Sequence, residues 1–142
     1  MVWPWGLRLE QTPAGAVDVL TRQLRDLQKR GGASAGESSE ARFRLAWALA
    51  HSGSRQDVDE AVRMLEGESG GFPDERDRLY ILAVAHYRRG DDAAATKAAR
   101  RALYLSPTCP QTRAVLRACR VRVAGHTLVR LGALGGAAWV SA

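Results

Sequence analysis

The chain has 142 residues, which is enough for one domain with a modest hydrophobic core but not for two independent ones. Its composition is 46% hydrophobic and 25% charged, as in ordinary globular proteins. Ala and Arg are over-represented, and β-branched residues other than Val are scarce. Because Ala and Arg favour helices, we expect a single all-α fold.

The net charge of +6 comes from the C-terminal part of the chain. Residues 93–142 carry 8 basic and no acidic side chains. The simplest interpretation is a solvated helix face, and the next is a patch that lies against an anionic membrane surface. Nucleic-acid binding is not expected, because no aromatic platform or groove-reading motif accompanies the arginines. The main basic residues are Arg100, Arg101, Arg113, Arg117, Arg120 and Arg122.

The two cysteines, Cys109 and Cys119, stand ten residues apart, without a CxxC motif or a nearby histidine pair. This spacing predicts free thiols, with neither a zinc site nor a disulfide framework. The sequence also contains no catalytic triad, no phosphate-binding loop and no acidic pair placed for general acid–base chemistry. We therefore expect no metal, no cofactor and no enzymatic activity.

Helices are predicted in chain order from apolar periodicity and from their end signals. The first begins at Thr12-Pro13 and ends before Gly31-Gly32. Residues 31–39 have turn-forming composition and no apolar periodicity, which predicts a flexible linker. The second helix follows at about residues 39–51, with Phe43 and Trp47 on its apolar side.

The third helix begins at Ser54, where Asp57 completes a capping box, and it ends at Gly67. Pro73 begins the fourth helix and Gly90 ends it, since proline suits a helix start and glycine suits a helix end. The last two helices are predicted over residues 92–105 and 110–125.

The sequence repeats itself after 34 residues, with Leu45 matching Leu79, Asp57 matching Asp91 and Ala61 matching Ala95. A period of this length with two helices is the arrangement of tetratricopeptide repeats. The repeats cover about residues 42–75 and 76–109, and their small side chains let paired helices approach closely. We therefore predict a six-helix bundle with two tandem tetratricopeptide-like pairs, flanked by capping helices.

This helical domain is expected to cover residues 12–125. Residues 1–11 form an extension that we leave unassigned, since they contain neither a secretory signal nor a clear transit pattern. Residues 126–142 form a short apolar tail, which is a candidate membrane anchor.

The stretches FRLAWALAHSGSRQDVDEAVRMLE and RDRLYILAVAHYRRGDDAAATKAARRALYLSPTCPQT resemble the mitochondrial fission 1 protein family. The resemblance covers about residues 40–125 and includes the AW pair of the second helix and the proline terminator before the sixth. It implies a non-enzymatic adaptor that faces the cytosol and is held on the mitochondrial outer membrane by one C-terminal helix. It also implies recruitment of a dynamin-related GTPase or a fission adaptor protein, on mitochondria and on peroxisomes.

The tail departs from the family pattern, because only 12 residues follow Arg130. Twelve helical residues span about 18 Å, against about 30 Å for the hydrocarbon core of a bilayer. The alternative is a soluble scaffold of the same fold that binds a partner helix or peptide. Gly132 and Gly136 have the GxxxG spacing of paired membrane helices, which points weakly to a homo-oligomer. The residues expected to contact the membrane are Leu128, Leu131, Leu134, Trp139 and Val140.

The concave face of a tetratricopeptide array, lined by the first helix of each repeat, can accept a partner helix or an extended arm. An alternative is that Tyr80 and Tyr87 complete the core. Recognition of a terminal carboxylate is not expected, because the Asn and Lys residues used for it are absent from this face. The predicted groove residues are Ala46, Ala50, Tyr80, Val84, Tyr87, Arg88, Ala114 and Ala118.

Overall fold

The computed structural model describes residues 11–67 and 71–138. These ranges contain six α-helices and no strand, which confirms the predicted all-α architecture. The extension at residues 1–10 lies outside the described residues, as do Trp139 and Val140. The helices are α1 (Ala16–Arg30), α2 (Ala35–Ala50), α3 (Arg55–Gly67), α4 (Glu75–Arg89), α5 (Asp92–Leu105) and α6 (Pro110–Ala138).

The first helix begins later than predicted, at Ala16, after Gly15 with a φ of 81°. Thr12 does not cap α1; its hydroxyl donates a hydrogen bond to the carbonyl of Ala48 at 2.6 Å, and its N–H donates to the carbonyl of His51 at 3.0 Å. These bonds fix the segment just before α1 on α2, and among the described helices α1 packs on α2 alone.

The flexible linker predicted at residues 31–39 is wrong in its second half, because α2 already begins at Ala35. Ser34 caps it: the Ser34 hydroxyl accepts from the Glu37 N–H at 3.2 Å, and the Glu37 carboxylate accepts from the Ser34 N–H at 2.8 Å. This reciprocal pair is a capping box, which offsets the low helix propensity of the Gly and Ser residues that follow.

The capping box predicted at Ser54 and Asp57 is replaced by a different arrangement. The Ser54 N–H donates to the Ser52 hydroxyl at 3.1 Å, and that hydroxyl in turn donates to the Asp57 carboxylate at 2.5 Å. Asp57 therefore stabilises the start of α3 through Ser52.

The sixth helix was predicted to end near Gly125, but α6 continues to Ala138. A single glycine in a helix costs only about 1 kcal/mol relative to alanine, and no proline follows it in this segment. The predicted boundary between domain and tail therefore falls inside one continuous helix of 29 residues.

The core is built around α4, which packs against α2, α3, α5 and α6. Arg78, Leu79 and all residues from Ile81 to Tyr87 are buried on this helix. Asp74 caps its start by accepting hydrogen bonds from the N–H groups of Arg76 at 2.8 Å and Asp77 at 3.2 Å. A helix that is packed against four others in this way fixes the positions of its neighbours.

Alanines fill the contact between α4 and α5. Ala83 on α4 and Ala95, Ala99 and Ala102 on α5 have no exposed surface. The regular alanines of the sequence are therefore spacing residues, because a methyl group lets two backbones approach more closely than a larger side chain would.

Arg122 fastens α6 to the turn between α4 and α5. Its Nε donates to both carboxylate oxygens of Asp92 at 2.9 Å, and its Nη2 donates to the Tyr87 carbonyl at 2.7 Å. The guanidinium also lies 3.9 Å from the centre of the Tyr87 ring. Bidentate pairs of this kind are geometrically specific, so they set the rotation of α6.

We expect Ala95→Leu to lower the free energy of unfolding by about 1–3 kcal/mol, since the larger side chain over-packs the contact between α4 and α5. Ala93→Leu, two residues away on the same helix, is exposed and should change stability by less than about 0.5 kcal/mol. Urea unfolding followed by circular dichroism measures both. Equal effects of the two substitutions would contradict the packing role of the alanines.

Candidate functional site

A cavity of about 500 Å³ opens between α2, α4 and the start of α6, which are the first helices of successive helix pairs. We call it the concave groove. It is lined by Phe43, Trp47, Arg76, Asp77, Tyr80, Ile81, Cys109, Gln111 and Thr112.

The apolar part of the groove is aromatic. Phe43 and Trp47 lie one turn apart on α2 and are only partly buried, although both pack against the core. The Trp47 ring stacks on His51, with ring centroids 4.1 Å apart and an interplanar angle of 21°. Because the His51 Nδ1 lies 2.8 Å from the Trp47 carbonyl, the stack is held in one orientation. Fixed and accessible aromatic rings are typical anchors for protein partners.

The rim of the groove carries both signs of charge. Arg76 pairs with Asp77 through a contact of 2.7 Å, and its Nε lies 4.0 Å from Asp74. These side chains are 41–53% exposed, so the pairs add little to stability. The rim is therefore polar around an apolar floor, which is the arrangement typical of protein interfaces.

Tyr80 lines the groove together with the apolar floor and the charged rim, and its side chain has both an apolar ring and a polar hydroxyl. Its side chain is half-buried, and its hydroxyl has no hydrogen-bond partner within the part of the chain that the structure describes. Burial raises the pKa of Tyr80, and the neighbouring Cys109 raises it further. The phenol is therefore neutral at physiological pH and can donate a hydrogen bond to a ligand.

Cys109 lies where α5 meets α6, at the end of the groove. Burial raises its pKa, but hydrogen bonds from Thr112 and Gln111 and the charge of Arg76 lower it by more, so that the pKa lies below the ordinary thiol value. The Thr112 hydroxyl is 3.3 Å from the sulfur. Both cysteines are free, as predicted.

Most of the predicted groove residues belong to the core instead. Five of the eight are at most 2% exposed, so they cannot contact a partner without unfolding the site. The predicted positions lie about one turn further along α2 and α4 than the residues that line the groove, and there the side chains pack into the core. The five core residues are Ala46, Ala50, Val84, Tyr87 and Ala118.

Of the other three, only Tyr80 lines the concave groove. Arg88 is half-buried and donates to the Ser52 carbonyl at 2.8 Å, which ties the end of α4 to the loop after α2; burial lowers its pKa. Ala114 is partly buried and packs against the core from α6. Neither residue lies in the cavity.

The sequence prediction missed most of the residues that do line the groove. Phe43 and Trp47 were assigned only to the apolar side of the second helix, and Gln111 and Thr112 were not considered. The signal that could have found Phe43 and Trp47 is the size of their side chains, because a pair of bulky aromatic residues one turn apart in an otherwise Ala-rich helix exceeds what close helix packing needs.

Three of the expected membrane contacts, Leu128, Leu131 and Leu134, lie on the part of α6 that extends beyond the core. Leu128 and Leu131 are 69% and 59% exposed, and Arg130 between them is exposed as well. Leu134 lies on the same helix, whereas Trp139 and Val140 are outside the described residues. Within residues 11–67 and 71–138, no helix combines the length and the apolar character that crossing a bilayer requires. The same ranges contain no cluster of metal-ligating side chains.

Comparison with known proteins agrees with this architecture. The family described as "Fis1 N-terminal tetratricopeptide repeat" matches residues 40–67. Mitochondrial fission 1 protein B of Arabidopsis thaliana is 30% identical over 100 residues, which is 68% of this chain and 60% of the relative. Mitochondrial fission 1 protein A of the same plant is 46% identical over 55 residues, covering 37% of this chain and 32% of the relative.

The chain is similar to members of the mitochondrial fission 1 protein family. It spans about 60% of the length of the first plant relative and about a third of the second. The family consists of tetratricopeptide-like adaptors and not of enzymes.

Two solved structures share the fold. Yeast Fis1 from Saccharomyces cerevisiae superposes with a TM-score of 0.69 at 18% identity, covering 87% of this chain and 92% of the yeast chain. Yeast Fis1 in complex with an Mdv1 fragment gives a TM-score of 0.67 at 20% identity, covering 83% and 90%. At such low identity the likeness establishes the fold alone.

Cys109 should react with iodoacetamide faster than Cys119 at pH 7.5. Cys109 is partly exposed with a lowered pKa, whereas Cys119 is fully buried and burial raises its pKa, so Cys109 has the larger and more accessible thiolate fraction. Mass spectrometry of time points measures the order, with urea-unfolded protein as the control in which the two rates converge. Equal rates in the folded protein would contradict the structure of the groove.

Proposed function

We propose that the chain is a non-enzymatic adaptor that recruits the fission machinery to mitochondria through the concave groove. The observation that carries this proposal is the half-buried aromatic floor with Tyr80, on the fold shared with yeast Fis1. The names of the two plant relatives support a role in mitochondrial fission.

The expected partner is a fission adaptor protein or a dynamin-related GTPase. One yeast relative is solved with an Mdv1 fragment that contains an N-terminal extension and a coiled coil, and this supports the adaptor class. The groove suits an amphipathic helix or an extended arm, because apolar side chains can enter between Phe43, Trp47 and Ile81 while polar ones meet Arg76 and Asp77.

Tyr80→Ala should weaken binding of the cognate fission adaptor roughly 5- to 30-fold, since it removes both apolar contact area and a hydrogen-bond donor from the groove. Isothermal titration calorimetry with the purified partner measures the change. Tyr104→Ala is the matched control, because Tyr104 is 87% exposed on α5 and does not line the groove.

Both variants should keep the helical content and the unfolding midpoint of the wild type within a few degrees. The proposal fails if Tyr80→Ala binds the partner as tightly as Tyr104→Ala does. Equal losses of affinity in the two variants would show that the loss does not come from the groove.

We further propose that α6 and the residues after it hold the domain on the mitochondrial outer membrane, facing the cytosol. Leu128, Val129 and Leu131 are 59–73% exposed on a helix that is continuous with the domain. The Arg130 stem can extend to the headgroups, which reduces the cost of a charge near the bilayer. The same anchor would serve peroxisomes, as in the family resemblance.

Removal of residues 126–142 should release the protein from membranes without unfolding it, because the Arg122 contacts that dock α6 remain. Carbonate extraction followed by immunoblotting should leave the full chain in the membrane pellet and the truncated chain in the supernatant. Imaging with mitochondrial and peroxisomal markers locates the full chain. Normal thermal unfolding of the truncated protein is the control.

The second candidate function is a soluble scaffold of the same fold that binds a partner helix or peptide. The observation that favours it is Arg130, which interrupts the exposed apolar residues near the end of the chain. Full extraction of the intact protein by carbonate, together with unchanged binding to the partner, would select this function over the anchored one.

A further inference from the structure

A second cavity, of about 290 Å³, opens between α3, α4 and α5. Its lining shares no residue with the concave groove. Leu79, Leu82 and Ala98 form apolar walls, and the charged side chains of Lys97 and Arg101 belong to the lining from α5. We call it the α4–α5 cavity. At about 300 Å³ it has the size of the smallest ligand sites, which suits one side chain or one small group.

Two cations of the α4–α5 cavity have no direct ion-pair partner among the described residues. Lys97 and Arg101 are exposed, lie one turn apart on α5, and make no ion pair with any described residue. Arg78, which also lines the cavity, is already satisfied by Glu75 at 2.7 Å and by the carbonyl of Leu65. Lys97 and Arg101 are therefore the groups available to an anion.

A buried imidazole in the same cavity has an unsatisfied nitrogen. His86 is 5% exposed, and its Nε2 pairs with the Glu66 carboxylate at 3.2 Å. Its Nδ1 has no hydrogen-bond partner among the residues that the structure describes. His86 lines the cavity, so its imidazole can report on a group that binds there.

We propose that the α4–α5 cavity binds a carboxylate or phosphate group carried by an acidic peptide segment of a partner protein. Lys97 and Arg101 would bind the group through charge-assisted hydrogen bonds, and the leucine walls would contact the methylene groups that carry it. A peptide fits better than a lipid surface, because the Glu66 carboxylate in the lining repels a uniformly anionic layer but leaves room for one acidic side chain.

The proposal is independent of the concave groove, since the two cavities share no residue, and it stands if the groove proposal fails. It can be tested on the full chain with fluorescein-labelled hexaglutamate and with a peptide of the same length that carries phosphoserine. Fluorescence anisotropy measures binding, and hexaglutamine is the neutral probe. Saturable binding of either acidic peptide with no binding of hexaglutamine is the expected result.

The decisive variant is Lys97→Ala with Arg101→Ala, which should weaken binding of the acidic peptides at least tenfold. The matched control is Arg100→Ala with Arg117→Ala, which removes the same charge from exposed helix positions outside the cavity. The control should stay within about twofold of the wild type, because long-range attraction between exposed charges is largely screened at physiological salt. Equal losses in both double variants would overturn the proposal, since net charge would then explain the binding.

The imidazole signals of His86 in NMR spectra provide a local readout. They should shift when hexaglutamate is added to the wild type and stay unchanged in the Lys97→Ala/Arg101→Ala protein. Absence of saturable binding by both acidic peptides would overturn the proposal. If phosphatidylserine vesicles then bind in a way that depends on Lys97 and Arg101, the ligand of the cavity is a lipid surface instead.

Discussion

The burial of most of α4 between four other helices is the constraint on which the rest of the structure depends. Among the described helices, all but α1 pack against it, and two of its buried residues, Arg78 and His86, carry ionisable groups that need partners. Arg78 finds them in Glu75 and the Leu65 carbonyl, which also fixes the end of α3. Breaking such a pair by removing one partner is costly because the other charge stays buried. The fold is therefore held by packing and by a few obligatory polar contacts together.

The helices themselves could be predicted from the sequence, because their signals are local. Apolar periodicity, Pro73, Gly90 and the repeat of 34 residues correctly gave six helices, four of which form two tetratricopeptide-like pairs. The ends of several helices were predicted at the wrong residues, since each end depends on single interactions. The start of α2 follows from the Ser34–Glu37 pair, and α6 continues through Gly125 because one glycine is a weak helix breaker.

The groove could not be placed from repeat register alone, because exposure on α4 is decided by the docking of α6. Arg122 reaches Asp92 across 30 residues and lies on the Tyr87 ring, and this covers the C-terminal half of α4 that register had assigned to the groove. The N-terminal half stays open at Tyr80, opposite Phe43 and Trp47. A contact so distant in sequence leaves no local pattern, whereas the choice of helices needed only the repeat.

The geometry of α4 also separates the two cavities. Arg76 lines the concave groove and Arg78 lines the α4–α5 cavity. Residues two positions apart on a helix point about 200° away from each other, so the two cavities lie on opposite sides of the same helix. A short peptide cannot occupy both, and a single partner would have to pass around the start of α4, past the exposed Pro73 and Asp74. If both proposals hold, the ligands are therefore two separate segments, one amphipathic and one acidic, each bound at its own face of α4.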